Sequence, residues 1–130
     1  MDVFTPAERQ YLESQPLARF ASASPTGVPD VSPVTFGLDG DAIVSGGFNI
    51  AKTVRYRNFQ TNTTGTIVVD DLATVDPWTP RGIKVRGAVT IEDHDGGQRF
   101  KITPEVIWSW GINDPKPGVP SMDRRTVGEA

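Results

Sequence analysis

The most regular pattern in the chain is an alternation of apolar and polar residues between Ile83 and Glu92. Apolar side chains stand at positions 83, 85, 89 and 91, and polar ones at positions 84, 86, 90 and 92. A period of two over about ten residues is typical of an antiparallel strand that buries one face. This segment therefore predicts a half-buried antiparallel strand of about ten residues.

Shorter apolar segments bounded by turn residues predict further strands along the chain. Pro33 interrupts one of them and, because proline cannot donate to a ladder, it indicates an edge or a bulge. The last strand contains Thr103-Pro104, where we expect a break, followed by Trp108 and Trp110 on the inner face of the fold. With 83–92, the predicted strands are Leu17–Ala23, Val28–Phe36, Ala42–Ser45, Gly65–Asp70 and Arg99–Ile112.

Two helices complete the predicted elements. Thr5 and Glu8 form a capping box with Pro6 at the first helical position, so a short helix begins there. A second helix is predicted to open at Asn49, with Lys52 in its first turn. About six short strands joined by turns favour a mainly β fold, a small antiparallel barrel with one N-terminal and one mid-chain helix.

Composition limits the classes of protein that this chain can represent. The 130 residues carry a net charge of −3 and no cysteine, which excludes disulfides and thiolate chemistry and gives no field that attracts nucleic acid. The start lacks a basic region before an apolar run, and no apolar stretch approaches the roughly 20 residues that span a bilayer. We expect a soluble cytoplasmic protein without membrane or nucleic-acid partners.

A cationic stretch in the middle of the chain predicts an anion site. From Ala42 to Val69 there is no acidic residue, whereas Lys52, Arg55 and Arg57 lie inside this range. Because a helix N-terminus presents unpaired N–H groups and a partial positive charge, the Gly46-Gly47 loop and the following helix favour a phosphate. The alternative interpretation is a plain glycine turn followed by a solvated lysine.

Candidates for side-chain catalysis are few. The single histidine, His94, stands in a turn between charged and glycine residues, and we interpret it as solvated rather than as a general base. Acidic residues occur as adjacent pairs, which point to opposite faces of a strand, so we predict no metal site. If the protein is an enzyme, a bound cofactor should carry the chemistry.

A second group of residues surrounds a proline-flanked tryptophan. Trp78 is predicted to stack on a ligand ring or to pack on a partner subunit. Arg81, Lys84 and Arg86 follow it, either as an exposed strand face or as a second cationic patch.

An ordered set of segments resembles a known family of split-β-barrel oxidoreductases. It comprises FTPAERQYL, LARFAS, PTGVPDVSPVTF, SGGFNIAKTVRYRN, IVVDDLATVDPWTPRGIKVRG and ITPEVIWSWGI. In this order they resemble the flavin and deazaflavin enzymes of the pyridoxamine-phosphate-oxidase-like superfamily, in particular its probable F420-dependent branch. The last two are similar to segments of dehydrotetracycline reductases and of their actinobacterial relatives.

The resemblance implies a six-stranded split barrel, residues 1–113, that forms a homodimer with cofactor sites at the interface. Residues 114–130 would be a flexible tail or one draped over the partner. The implied cofactor is F420, with FMN as the alternative. The implied activity is hydride transfer to an electron-poor unsaturated small molecule, with a non-catalytic flavin- or deazaflavin-binding protein as the other possibility.

The resemblance also implies which residues hold the cofactor, and it implies no side-chain acid or base. The ring would lie against the second strand, Trp78 would flank it from the other subunit, and Arg81 and Lys84 would attract the polyglutamate tail. The residues implied for the ring are Pro33, Val34 and Thr35, and those for the phosphate are Ser45, Gly46, Asn49, Lys52 and Thr53, with Arg57 in addition.

Overall fold

The computed structural model describes residues 2–47 and 49–128, so Met1, Phe48 and residues 129–130 of the predicted tail lie outside it. It contains two α-helices, one 3-10 turn and eight strands. These are α1 Pro6–Ser14, β1 Ala18–Ala23, β2 Pro29–Val34, β3 Gly37–Asp39, β4 Ala42–Ser45, the 3-10 turn Ile50–Lys52, α2 Val54–Asn58, β5 Thr64–Leu72, β6 Pro80–His94, β7 Gly97–Trp110 and β8 Met122–Thr126.

The strands form one antiparallel sheet that curls into a barrel. Their order is β2-β1-β5-β6-β7-β4-β3, and β8 adds to β7. The two terminal strands of this order, β2 and β3, are consecutive in the chain and only Thr35 and Phe36 join them, so the two ends of the sheet lie side by side. Pro33 lies on β2, which confirms the prediction of an edge strand.

The long hairpin of β6 and β7 organises the barrel. The first half of β7 pairs with β4 and its second half with β8, while β6 runs along its other side. Ile83, Val85 and Val89 of β6 are all buried, as their alternation predicts. The centre of the core is an aromatic cluster in which Phe20 lies 5.2 Å from Phe59 and 5.6 Å from Phe100, measured between ring centroids.

The class of the fold is the predicted one, but the number of strands is eight rather than six. The strand β3 was missed because only three residues, Gly37–Asp39, form it before the chain turns into β4. The strand β8 was missed because its sequence, MDRRT, has no apolar alternation. Both are short additions at the margins of the sheet.

The predicted break at Thr103-Pro104 is a bulge inside a continuous strand. Gly87 pairs with Pro104 and Arg86 with Val106, so β7 carries one additional residue, Glu105, at this point. A Cβ atom at Gly87 would lie 1.9 Å from the carbonyl oxygen of Thr103, so only glycine fits opposite the bulge. An extra residue reverses the alternation of a strand from that point onward.

This reversal places the tryptophans of β7 on the outer face, which corrects the prediction that they face the core. Ile107 and Ser109 are buried instead, and Trp108 is half-buried outside. Its ring is surrounded by cations: Lys84 Nζ lies 4.3 Å, Arg86 Cζ 5.0 Å and Arg124 Cζ 5.6 Å from the ring centroid.

Part of the predicted tail is also a regular element. Residues 122–126 form β8, which pairs with β7 from Val106 to Trp110, in contrast to the flexible or partner-draped segment that the sequence suggested. Arg125 of β8 ion-pairs with Glu8 of α1, a carboxylate that is completely buried. The interaction joins the two ends of the chain on one side of the barrel.

Candidate functional site

A groove lies between the tip of the β6–β7 hairpin and the loop that follows β4. Its larger part has a volume of about 370 Å³ and is lined by Thr35, Gly46 and Gly47 on one side and by His94 and Gln98 on the other. A smaller cavity of about 220 Å³ shares Gly47, Gly97 and Gln98 with it and continues to Asn49 and Ala51. The two cavities are therefore adjacent, and we refer to them together as the groove.

The backbone conformation of the loop after β4 explains its residue types. Gly47 has φ +137° and Asn49 has φ +57° and ψ +50°, conformations that glycine and asparagine adopt more readily than other residues. Asn49 precedes the 3-10 turn, but its side chain makes no capping hydrogen bond there. Its amide group is thus available on the wall of the groove.

Two hydroxyl groups near the groove are already used within the protein. Ser45 Oγ donates to the Thr35 carbonyl oxygen over 2.8 Å, which holds the end of β4 against the β2–β3 connection. Thr53 Oγ1 donates to the Ile50 carbonyl oxygen and accepts the Tyr56 N–H, so it links the 3-10 turn to α2. Ser45 and Thr53 therefore shape the loop in this structure.

The hairpin tip is a two-residue turn. His94 pairs with Gly97, and the two central residues Asp95 and Gly96 have φ of +49° and +77°. Positive φ at both central residues is the type I′ geometry that matches the twist of a hairpin. The Nε2 atom of His94 lies 3.2 Å from a carboxylate oxygen of Asp95, and 46% of its side chain is exposed.

Two cations near the groove differ in whether an acidic residue compensates their charge. Arg99 is largely buried and ion-pairs with Asp39 at 2.9 Å and with Glu92 at 3.0 Å, so its charge is compensated. Lys52 ends the 3-10 turn, is exposed, and forms no ion pair with any residue in 2–47 or 49–128. Lys52 is therefore free to form an ion pair with a bound anion.

Arg55 is a further cation of this segment, and it was not among the predicted cofactor residues. Its Nε atom is buried without a hydrogen-bond partner in the described part of the chain, and its guanidinium lies 5.5 Å from the Phe100 ring centroid. Burial lowers the pKa of Arg55, and Asp30 partly opposes that shift. The sequence placed Arg55 in the acid-free stretch but could not tell that its side chain turns inward.

Of the twelve predicted cofactor residues, the groove collects Thr35, Gly46 and Asn49, with Lys52 adjacent. Val34 is buried at the end of β2, whereas Pro33 is exposed on the same strand. Arg57 lines a separate cavity of about 550 Å³ between α2 and the turn at Ser24 and Pro25.

The residues around Trp78 lie outside the groove. Trp78 is 59% exposed on a loop fixed by hydrogen bonds between Thr74 and Thr79, and its carbonyl oxygen accepts the Gly118 N–H. Arg81 makes two hydrogen bonds with Asp71, of 2.7 and 3.0 Å, which raise the pKa of Arg81 and lower that of Asp71.

Two further observations concern the described residues only. We find no group of three or more histidine or acidic side chains there that could hold a metal ion. None of the helices in these ranges is both long and apolar enough to cross a bilayer.

Comparison with curated proteins identifies a relative that aligns with nearly the whole chain. It is the 5a,11a-dehydrotetracycline/5a,11a-dehydrooxytetracycline reductase of Streptomyces rimosus subsp. rimosus, which is 30% identical over an alignment of 131 positions and is covered, like this chain, to 92%. No family model matches the sequence.

The chain belongs to the pyridoxamine-phosphate-oxidase-like split-β-barrel family. Solved structures agree with this fold. A haem-binding protein from Mycobacterium smegmatis superposes with a TM-score of 0.72 at 19% identity, covering 95% of this chain and 60% of the other, so this chain spans less than two thirds of that protein. An F420 reductase superposes with a TM-score of 0.59 at 19% identity, over 75% of this chain and 94% of the other.

Proposed function

We propose that this split-barrel protein is an oxidoreductase that uses the deazaflavin F420 to transfer a hydride to an electron-poor unsaturated small molecule. The observation that supports this most strongly is the alignment with a dehydrotetracycline reductase over 92% of both chains. The resemblance to an F420 reductase structure adds support for the fold that such chemistry uses.

The groove has the features that the cofactor requires. Gly46 and Gly47 line it with backbone, Asn49 offers an amide, and the exposed Lys52 directly follows the lining residues Ile50 and Ala51 in the chain. Phosphate binds to such combinations of backbone donors and one cation. We therefore assign the phosphate to the Gly46–Lys52 end and the ring to the end formed by Thr35, next to Pro33 and Val34.

When bound, reduced F420 supplies the hydride. The protein's part is to fix the ring and to exclude water around it, since no side chain of the phosphate end takes part in the chemistry. Ser45 contributes indirectly, because its hydrogen bond to Thr35 holds the two sides of the ring end together.

We further propose that the active form is a homodimer in which Trp78 of each chain reaches the groove of the other. Trp78 is exposed on a fixed loop and lies outside the groove of its own protomer, which is the arrangement expected of a residue that completes a neighbouring site. The cations around Trp108, including Lys84, would then attract the acidic tail of the cofactor. Arg81 is less suited to this role because Asp71 already neutralises it.

Cofactor binding tests the proposal. Equilibrium titration of F420 and FMN into cofactor-free protein, followed by ligand fluorescence, should show saturable binding of F420 and weaker binding of FMN. Preferential binding of FMN would show that the protein is an FMN-dependent member of the same fold. Absence of binding for both would contradict the proposed function.

Catalysis and assembly need separate measurements. Consumption of reduced F420 in the presence of quinones and enones distinguishes an enzyme from a protein that only binds the cofactor. Light scattering should give the mass of two chains, that is twice 14.1 kDa. If the protein is a monomer in solution and still binds F420, the proposed role of Trp78 is contradicted.

A further inference from the structure

The single histidine of the chain lies on the wall of the candidate groove. His94 and Thr35 line the same 370 Å³ cavity, from opposite elements of the fold, and Thr35 belongs to the end where the proposed function places the cofactor ring. The sequence suggested a solvated turn residue, because its neighbours along the chain are polar. The hairpin, however, folds so that its tip faces the loop after β4.

We propose that His94 delivers the proton that accompanies hydride transfer, an inference that rests on the proposed function. The type I′ turn at the tip of the hairpin places His94 on the wall of the groove. Nearly half of the side chain is exposed, so solvent can return a proton after each turnover. Imidazole is the side chain suited to this task near neutral pH.

A carboxylate lies beside the imidazole. One oxygen of Asp95 is 3.2 Å from Nε2 of His94, and 89% of the Asp95 side chain is exposed.

The remaining charged groups around His94 are few and mostly paired. From β7, Arg99 faces the groove, and Asp39 of β3 and Glu92 of β6 compensate it. Lys101 of β7 lies 3.8 Å from Asp39 and 3.9 Å from Glu92. The loop after β4 and the β2–β3 connection contribute only uncharged residues to the cavity. Asp95 is therefore the charge that acts most directly on His94.

When bound, a reduced deazaflavin would supply a hydride to the electron-poor carbon of the substrate's C=C bond and would itself be oxidised by two electrons. The N–H bond of the His94 imidazolium breaks as a new bond to hydrogen forms at the neighbouring carbon or oxygen of the substrate. The neutral imidazole then takes a proton from water.

The histidine can be observed directly, because it is the only one in the chain. Its imidazole Cε1–H resonance should shift when F420 is added, and the midpoint of its pH titration should change. Binding of F420 without any effect on this resonance would overturn the inference and leave the proposed function intact. Failure of F420 to bind at all would contradict both.

Kinetics test the role in proton delivery. His94→Gln should lower kcat about a hundredfold with a small change in KM for F420, and should abolish the decline in rate as the pH rises through the range where imidazole titrates. Added imidazole should restore part of the rate in His94→Ala. The control is Asp93→Asn on the same hairpin, which changes a neighbouring exposed charge outside the groove and should retain wild-type kinetics.

Two outcomes contradict the proton role. A His94→Gln variant with wild-type kcat and an unchanged pH profile would show that the proton comes from elsewhere. Absence of turnover by the wild-type protein with every quinone and enone tested would remove the catalytic part of the proposed function, and this inference with it.

Discussion

Two polar regions of the barrel differ in how completely their groups are paired. At the end of the barrel where α1 meets β8, the buried Glu8 accepts hydrogen bonds from Ser109 at 2.8 Å, Asn113 at 2.9 Å and the Thr5 N–H at 3.0 Å, in addition to its ion pair with Arg125. In the segment that follows β4, by contrast, the exposed Lys52 next to the groove has no ion pair, and the buried Nε of Arg55 in α2 has no partner within the described ranges.

The difference separates structural from functional polar residues. A buried carboxylate with all its acceptor sites filled stabilises one arrangement of the chain. A buried nitrogen without a partner costs free energy, whereas an exposed lysine without an ion pair is hydrated and its charge remains free to bind an anion. The comparison predicts that changes at Glu8 act on stability and changes at the groove act on binding.

The largest expected effect is the loss of the Glu8 carboxylate. Glu8→Gln should lower the free energy of unfolding by about 3 kcal/mol, because it leaves the Arg125 guanidinium partly buried without its counter-charge. Urea denaturation measures this. The control is Asp70→Asn, which breaks the exposed 3.1 Å pair with Arg19 and should cost less than about 1 kcal/mol. Equal losses in the two variants would contradict the structural role of Glu8.

The second effect is on acid stability. Burial is the largest single influence and raises the pKa of Glu8, but the hydrogen bonds from Arg125, the Thr5 N–H, Asn113 and Ser109 together outweigh it and lower that pKa below its ordinary value of 4.5. A lowered folded-state pKa means that the stabilisation is complete above about pH 5 and is lost as the pH falls through the folded pKa. Urea denaturation between pH 6 and pH 3 should therefore show a shallower decline for Glu8→Gln than for the wild type. A decline of equal slope would contradict the pKa shift.

The third effect concerns the groove. Lys52→Ala should weaken F420 binding about tenfold, or about 1.4 kcal/mol, and should change kcat at saturation less than twofold, because the lysine holds the anchoring end of the cofactor. Stability should be unchanged. The matched control is Lys116→Ala, in which the lysine pairs with Asp114 far along the chain from the groove. Unchanged F420 affinity in Lys52→Ala would show that Lys52 is a solvated residue that does not hold the cofactor.

The smallest expected effect is at Arg55, where, unlike at Glu8, the substitution should not lower the free energy of unfolding. Arg55→Met replaces a partly buried guanidinium, which has an unpaired nitrogen, by an apolar side chain of similar length. We expect the free energy of unfolding to stay the same or to rise by up to about 1 kcal/mol, since the desolvation cost disappears. A loss as large as that of Glu8→Gln would show that Arg55 is a structural residue.

Local patterns predicted most of the fold because they record burial directly. The alternation from Ile83 to Glu92, the capping box at Thr5 and the edge proline Pro33 each reflect an interaction within a few residues, and the structure confirms all three. The bulge opposite Gly87 and the strand β8 depend on contacts between distant parts of the chain. Arg125 is ordered by Glu8, 117 residues away, which no local pattern reveals.

The candidate site was predicted in part for the same reason. Gly46, Asn49 and Lys52 lie close together in the chain, so their residue types were informative. His94 and Arg55 depend on where the hairpin tip and the inner side of α2 come to lie. The sequence neighbours of His94 indicate a turn, but they do not indicate what that turn faces.

The most direct test of the account is to map the F420 contact by amide NMR. Titration of F420 into labelled protein should produce its largest chemical-shift changes at Gly46, Gly47 and Asn49 and along the hairpin tip from His94 to Gln98. The surroundings of Glu8 should remain unperturbed. Changes concentrated elsewhere, with the groove unaffected, would contradict the central claim that this groove is the cofactor site.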